Sequence, residues 1–253
     1  MLIQPTLDAL NALKLHGMAA ALSEQMTQSA AQGLSFEERI GLLVEREAVF
    51  RENRRLTRLL QQAQLKERAC LEDLDFRARR GLDRAHIATL TACDWIRVGQ
   101  NLLIQGATGC GKTFLACALA HQACRQGLSA LYVRAPRLFE ELTLAHADGS
   151  FRKRLALLAK TSLLVIDDFA ISPLGARERG DLLEILDDRI GARHAHHEPV
   201  AGRALVRVHR RPDARRCHPR SLAALRPHPD TRRRVDAQAQ ESGPGVAYPN
   251  GIT

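Results

Sequence analysis

Residues 98–121 restrict the fold more than any other stretch. The apolar run Leu102-Leu103-Ile104 leads into Gly106-Ala107-Thr108-Gly109-Cys110-Gly111-Lys112-Thr113, which passes directly into the helix-prone Phe114-Leu115-Ala116-Cys117-Ala118-Leu119. Gly-x-x-x-x-Gly-Lys-Thr between a strand and a helix is a phosphate-binding loop, because backbone with few β-carbons can wrap closely around a triphosphate. The N–H groups of the loop and the first helical turn point at the anion, and the helix dipole adds partial positive charge there. All eight residues, Gly106, Ala107, Thr108, Gly109, Cys110, Gly111, Lys112 and Thr113, are therefore expected to contact ATP. Lys112 is expected to reach the β- and γ-phosphates, and the Thr113 hydroxyl to join the shell of a Mg²⁺ ion.

A second motif follows after one intervening strand. Ser129–Arg134 reads as that strand, with Gly127 closing the helix before it and Pro136 opening a helix over residues 137–147. Residues 151–158 form another short helix, and the chain then runs Leu163-Leu164-Val165-Ile166 into Asp167-Asp168. A continuous apolar strand belongs in a parallel sheet covered on both faces, with active-site groups at its carboxyl end. The predicted fold is thus α/β, a P-loop NTPase sheet with helices on both faces. Asp167 is expected to hold Mg²⁺ directly or through water, and Asp168 to orient or deprotonate the attacking water. Trp95 and Ile96, just upstream of the loop strand, are expected in the core rather than against the adenine ring.

Residues 1–70 read as helical throughout. Leu7, Leu10 and Leu13, then Met18, Ala21 and Leu22 after Gly17, mark two short amphipathic pieces, and Ser35 with Glu38 forms a capping box ahead of a long helix. On that helix Arg51, Arg54, Arg55 and Arg58 fall at i, i+3, i+4 and i+7. Such a ridge can meet successive DNA phosphates. It can also be a solvated face balanced by Glu45, Glu47 and Glu52, including the helical pair Glu47 and Arg51.

The net charge of +9 is unevenly placed: residues 191–253 carry twelve Arg against five Asp or Glu, a net +7. None of the six cysteines forms a C-x-x-C pair, and the seven-residue spacing of Cys110, Cys117 and Cys124 reads as small-residue packing. No stretch approaches the ~20 apolar residues of a membrane span, and the first residues carry no charged, then apolar, leader pattern. A cytoplasmic protein with no membrane partner is expected.

Several of these segments resemble one family. Leu15-His16-Gly17-Met18-Ala19-Ala20-Ala21-Leu22, Leu71-Glu72-Asp73-Leu74-Asp75-Phe76, Asn101 to Lys112, Tyr132-Val133-Arg134, Leu163 to Phe169 and Asp181 to Arg189 are similar to the IstB-like insertion-sequence ATP-binding proteins, relatives of the DnaC helicase loaders in the AAA+ class. The resemblance covers about residues 1–190. It implies a helper ATPase that binds double-stranded DNA, forms a homo-oligomer on it with ATP at the subunit interfaces, and stimulates the transposase encoded beside it. It also implies a helical domain over 1–70 for assembly and DNA binding, and an ATPase core over 71–190. Asp168 stands where many AAA+ proteins have Glu, so slow hydrolysis is expected.

After Ile190 the resemblance stops. Seven of the ten prolines and six of the ten histidines lie in residues 191–253, with no sustained apolar period. This aberrant tail has three readings: translation of a GC-rich gene shifted in frame near codon 191, a natural basic arm on DNA, or a metal site at His194, His196 and His197. The expected consequence is loss of the strand between the phosphate-loop strand and the Asp167 strand, with impaired hydrolysis, assembly and folding. The rival functions are a DnaC-type helicase loader, a nucleotide kinase and a catalytically dead DNA-binding remnant. A GTPase lacks support, since no Asn-Lys-x-Asp sequence occurs.

Overall fold

The computed structural model describes residues 3–28, 33–77, 82–169, 173–191, 204–210 and 226–228. Two compact units divide the chain, Met1–Gln61 and Gln62–Thr253.

The first unit is helical: α1 spans Gln4–Ala12, α2 His16–Thr27 and α3 Phe36–Ala63. The capping box forms at the start of α3, where Ser35 N–H donates to Glu38 Oε2 at 2.8 Å and Glu38 N–H to Ser35 Oγ at 3.2 Å. Gly17 was expected ahead of a helix but lies in the first turn of α2, directly against α3. From α3, buried Glu47 accepts the Gly17 and Met18 N–H groups on Oε2 at 2.7 and 3.1 Å and the Arg51 Nε–H on Oε1 at 2.7 Å. It thereby caps two of the N–H groups that a helix start leaves without partners. The Arg51 hydrogen bond, then those two N–H groups, hold the Glu47 carboxyl below its usual range despite enclosure. A depressed carboxyl contributes stability above the ordinary Glu range and loses it as pH falls through the folded value. Glu47→Gln is therefore expected to flatten the acid limb of the pH–stability profile, measured by urea denaturation across that range; an unchanged limb would contradict the capping role.

In the second unit, the segment after α3 turns at Gln64, bends at Lys66 and Glu67, and then makes a short 3₁₀ turn, Leu71–Asp73, rather than continuing as helix. Helices α4 (Arg84–Thr91) and α5 (Asp94–Arg97) lead to β1 (Asn101–Gly106). Trp95 and Ile96 are buried, and the Trp95 indole N–H donates to Leu90 O at 3.0 Å, so both serve the core. Next come α6 (Lys112–Arg125), β2 (Ala130–Arg134), α7 (Ala135–Asp148), α8 (Phe151–Lys160), β3 (Leu163–Phe169), α9 (Ala176–Gly191), β4 (Ala204–Arg210) and β5 (Arg226–His228).

The sheet order is β2-β3-β4-β1-β5. The first four strands are parallel, and β5 pairs antiparallel to β1 at the edge. This corrects the expectation of a lost central strand. Residues 204–210 occupy that position, with Val206 opposite Leu102 on one side and Val165 on the other. Leu205, Val206 and Val208 are fully buried there. A strand inside a two-faced sheet needs apolar and β-branched side chains rather than a long pattern, and three such residues suffice. Arg207 and Arg210, counted with the basic tail, lie on this strand. His194, His196 and His197 lie outside the described residues.

On one face, Leu164, Ile166 and Leu205 pack with Leu138, Leu142, Leu158, Leu182 and Ile185 from α7, α8 and α9. Alternation sends Leu163, Val165 and Asp167 to the other face, toward α6. There Ala116, Cys117, Ala118, Ala120, Ala123 and Cys124 are all buried, and their small volumes let α6 lie close. The seven-residue cysteine repeat is thus packing. Arg189, the last residue of the family-like run on α9, is buried and donates to Thr161 O at 2.9 Å and to Leu158 O, capping the end of α8. Among the described residues, no helix is long and apolar enough to cross a membrane.

Candidate functional site: a phosphate loop facing an acidic pair

The site lies at the carboxyl ends of β1 and β3. Gly109 and Gly111 adopt φ of +80° and +89°, a region L side chains rarely enter, and these turns aim the loop into the first turn of α6. The pocket formed there has a volume of about 260 Å³ and is lined by Thr108, Gly109, Gly111, Lys112, Thr113, Asp167 and Asp168, together with Glu67 and Phe114. Pockets that enclose a whole small molecule run to roughly 300–1,000 Å³. This one fits the phosphate end of a nucleotide.

Lys112 is buried, and its ammonium donates to Ala107 O at 2.6 Å within the loop. Cys110, also buried, lies 3.8 Å from the same ammonium. The two motifs meet directly, because the Thr113 hydroxyl donates to Asp167 Oδ2 at 2.9 Å. Hydroxyl and carboxylate oxygens are hard donors of the kind Mg²⁺ takes, so this pair fits the ion.

Adjacent residues on a regular strand point to opposite faces, yet Asp167 and Asp168 both line the pocket. A register shift against β4 between Ile166 and Phe169, with Asp168 at φ +56°, brings the second acid round. Bulges re-aim side chains in this way, and Asp tolerates the left-handed conformation better than longer side chains do. That is a backbone reason for Asp rather than Glu at position 168.

Two residues of β2 hold the acids, and the sequence assigned neither a role. The Tyr132 hydroxyl donates to Asp167 Oδ2 at 2.6 Å, and Arg134 Nε donates to Asp168 Oδ2 at 2.9 Å. Burial, then the Asp167 carboxylate, pushes the Tyr132 phenol far above its usual range, so it remains a donor. The guanidinium of Arg134 is itself raised by its bond to Asp168. The available signal was polar residues at alternate positions of an otherwise apolar strand. Glu67 was missed for another reason: it lies on irregular chain after α3, where no local pattern says which site a residue lines.

Comparison with known proteins agrees with this geometry. Residues 8–195 match the IstB-like ATP binding protein family. The chain is 56% identical over 194 residues to the insertion sequence IS1162 ATP-binding protein of Pseudomonas fluorescens, covering 76% of this chain and 84% of that protein. It is 48% identical over 193 residues to an insertion sequence ATP-binding protein of Sinorhizobium fredii, covering 76% and 79%. It is also 35% identical over 182 residues to an ATP-binding protein in an insertion sequence of Mycobacterium tuberculosis, covering 72% of each. With the phosphate loop, the acidic strand and a parallel sheet in place, the chain belongs to the IstB-like ATP-binding proteins.

Proposed function

We propose that this chain is an ATP-dependent helper of DNA transposition, binding ATP with Mg²⁺ at Gly106–Thr113 and Asp167, and acting on double-stranded DNA together with its cognate transposase. The observation that carries the nucleotide part is the 2.9 Å bond from Thr113 to Asp167, which brings loop and acid to one pocket. Thr113 and Asp167 would hold the ion, and Lys112 would turn from Ala107 O to the phosphates. When bound, the ion offsets charge on the β- and γ-phosphates. Asp168 is the water-orienting residue, and its bond to Arg134 and short side chain both favour slow turnover.

The DNA part rests on α3. Arg51, Arg54, Arg55 and Arg58 are exposed along a shallow groove shared with Thr57 and Gln61. The ridge rises about 10 Å, enough to follow several phosphates of a duplex. Replacing Arg54, Arg55 and Arg58 by Ala is expected to weaken duplex binding on every sequence alike and lower the slope of log K against log salt by about 3. An unchanged slope by fluorescence anisotropy would remove the ridge from the DNA site.

The activity test is phosphate release by the full chain with and without duplex DNA. Slow, DNA-stimulated release without a small-molecule acceptor is expected. Transfer to an acceptor would make the chain a kinase, and salt-dependent DNA binding with no release would make it a binding remnant. Capture of a transposase rather than a replicative helicase distinguishes the helper from a helicase loader. Oligomer formation on DNA with ATP belongs to the same reading. The end of the family match at residue 195 supports a shifted reading frame for the remaining tail. One of the other two frames of the encoding DNA should then give a polar sensor and an Asp-Leu-Arg-like helix, and failure of both to do so would sink the shift.

A further inference from the structure

Asp167 borders the pocket but is only 1% exposed, and its carboxylate is heavily engaged. Its Oδ2 accepts two hydroxyl protons, from Thr113 on α6 at 2.9 Å and from Tyr132 on β2 at 2.6 Å, while Oδ1 accepts the Asp168 N–H at 2.8 Å. The Thr113 bond belongs to the phosphate site itself. The Tyr132 bond has no such explanation: the phenol lies on the neighbouring strand, does not line the pocket, and reaches the carboxylate from the side. A purely apolar strand would fill the same core space with Phe or Leu, without a hydroxyl that must find a partner when buried.

We infer that Tyr132 is a positioning residue for the metal-binding end of the nucleotide site, fixing the Asp167 carboxylate so that Oδ2 receives the Thr113 hydroxyl and leaves the Thr113 oxygen turned toward the ion. This rests on the magnesium reading given above. Without Tyr132 the carboxylate keeps only Thr113 on Oδ2 and the N–H of its own neighbour Asp168 on Oδ1, and its last torsion is broad and shallow. Held from two strands and a helix, it presents one orientation. The charge-assisted bond from a phenol is also among the stronger ones available to a buried carboxylate. Partners of this kind, which touch a ligand but not the metal, typically change metal affinity by about 10–100-fold when removed. Tyr132 does not line the pocket, so its effect on the site must pass through Asp167.

The test is Tyr132→Phe in the full chain, with ATP affinity measured by calorimetry in excess EDTA and again across a Mg²⁺ titration. Metal-free ATP affinity should match wild type, because the loop and Lys112 are untouched. The gain in affinity on adding Mg²⁺ should fall by about tenfold. In an Asp167→Asn background, adding Tyr132→Phe should change nothing further, since the carboxylate through which it acts is gone. A Mg²⁺ gain equal to wild type, a matching loss without metal, or a full Tyr132→Phe effect in the Asp167→Asn background would each overturn the inference. Wild-type chain that binds ATP but gains nothing from Mg²⁺ would overturn the magnesium reading itself, and this inference with it.

Discussion

Lys112→Ala is expected to abolish useful nucleotide binding while leaving the fold in place. Lys112 is buried at the mouth of the loop, and no other described Lys or Arg lines the pocket. On the proposed reading, removing the charge that would meet the β- and γ-phosphates leaves the anion facing only backbone N–H groups and the helix dipole. Losing one partner of an enclosed, hydrogen-bonded charge pair costs about 3 kcal/mol, a rise in Kd of more than about a hundredfold. The same change frees Ala107 O, which accepts the Lys112 ammonium at 2.6 Å without nucleotide, so a small stability change is expected beside the large binding change. Calorimetric titration with ATP, paired with circular dichroism, separates the two. ATP binding as tight as wild type would show that the nucleotide does not use this loop.

The second large effect lies in the helical unit. A β-carbon on Gly17 would stand 2.8 Å from Arg46 O, Glu47 Cα and Phe50 Cβ, two backbone atoms and the stiff base of a side chain. None of these can swing aside, so α2 and α3 must separate, stretching the 2.7 Å bond from Gly17 N–H to Glu47. Gly17→Ala gains up to about 1 kcal/mol in helix propensity, while overpacking of this kind costs about 3 kcal/mol. A net loss of about 2 kcal/mol is expected, read as a lower midpoint in urea denaturation of the helical signal. A midpoint equal to or above wild type would mean that the two helices do not approach as closely as described.

Much of the nucleotide site was legible from local pattern. Gly106–Thr113 and Asp167 carry their chemistry in residue type and spacing, since a phosphate cradle needs glycine and a helix start in unbroken order. The capping box at Ser35 and Glu38 and the helix start at Pro136 were legible for the same reason: each is a contact between near neighbours in sequence. Glu47 shows the limit. Its pairing with Arg51 followed from helical spacing, but its larger role, capping α2 at Gly17 and Met18, joins residues about thirty apart and has no local signature. The strand at Ala204–Arg210 was missed because periodicity looks for a repeat, whereas a buried central position accepts any short apolar stretch that hydrogen-bonds on both edges.

Sequence by itself determined the class of fold, the phosphate cradle and the acid that faces it, because these depend on side-chain chemistry and on order along the chain. Tertiary structure alone decided that Asp168 turns into the same pocket, that Tyr132 and Arg134 hold the two acids, and that residues 204–210 complete the sheet. Those outcomes depend on the bulge in β3 and the register between strands far apart in sequence, and register is set by burial on both faces at once, which no single segment encodes.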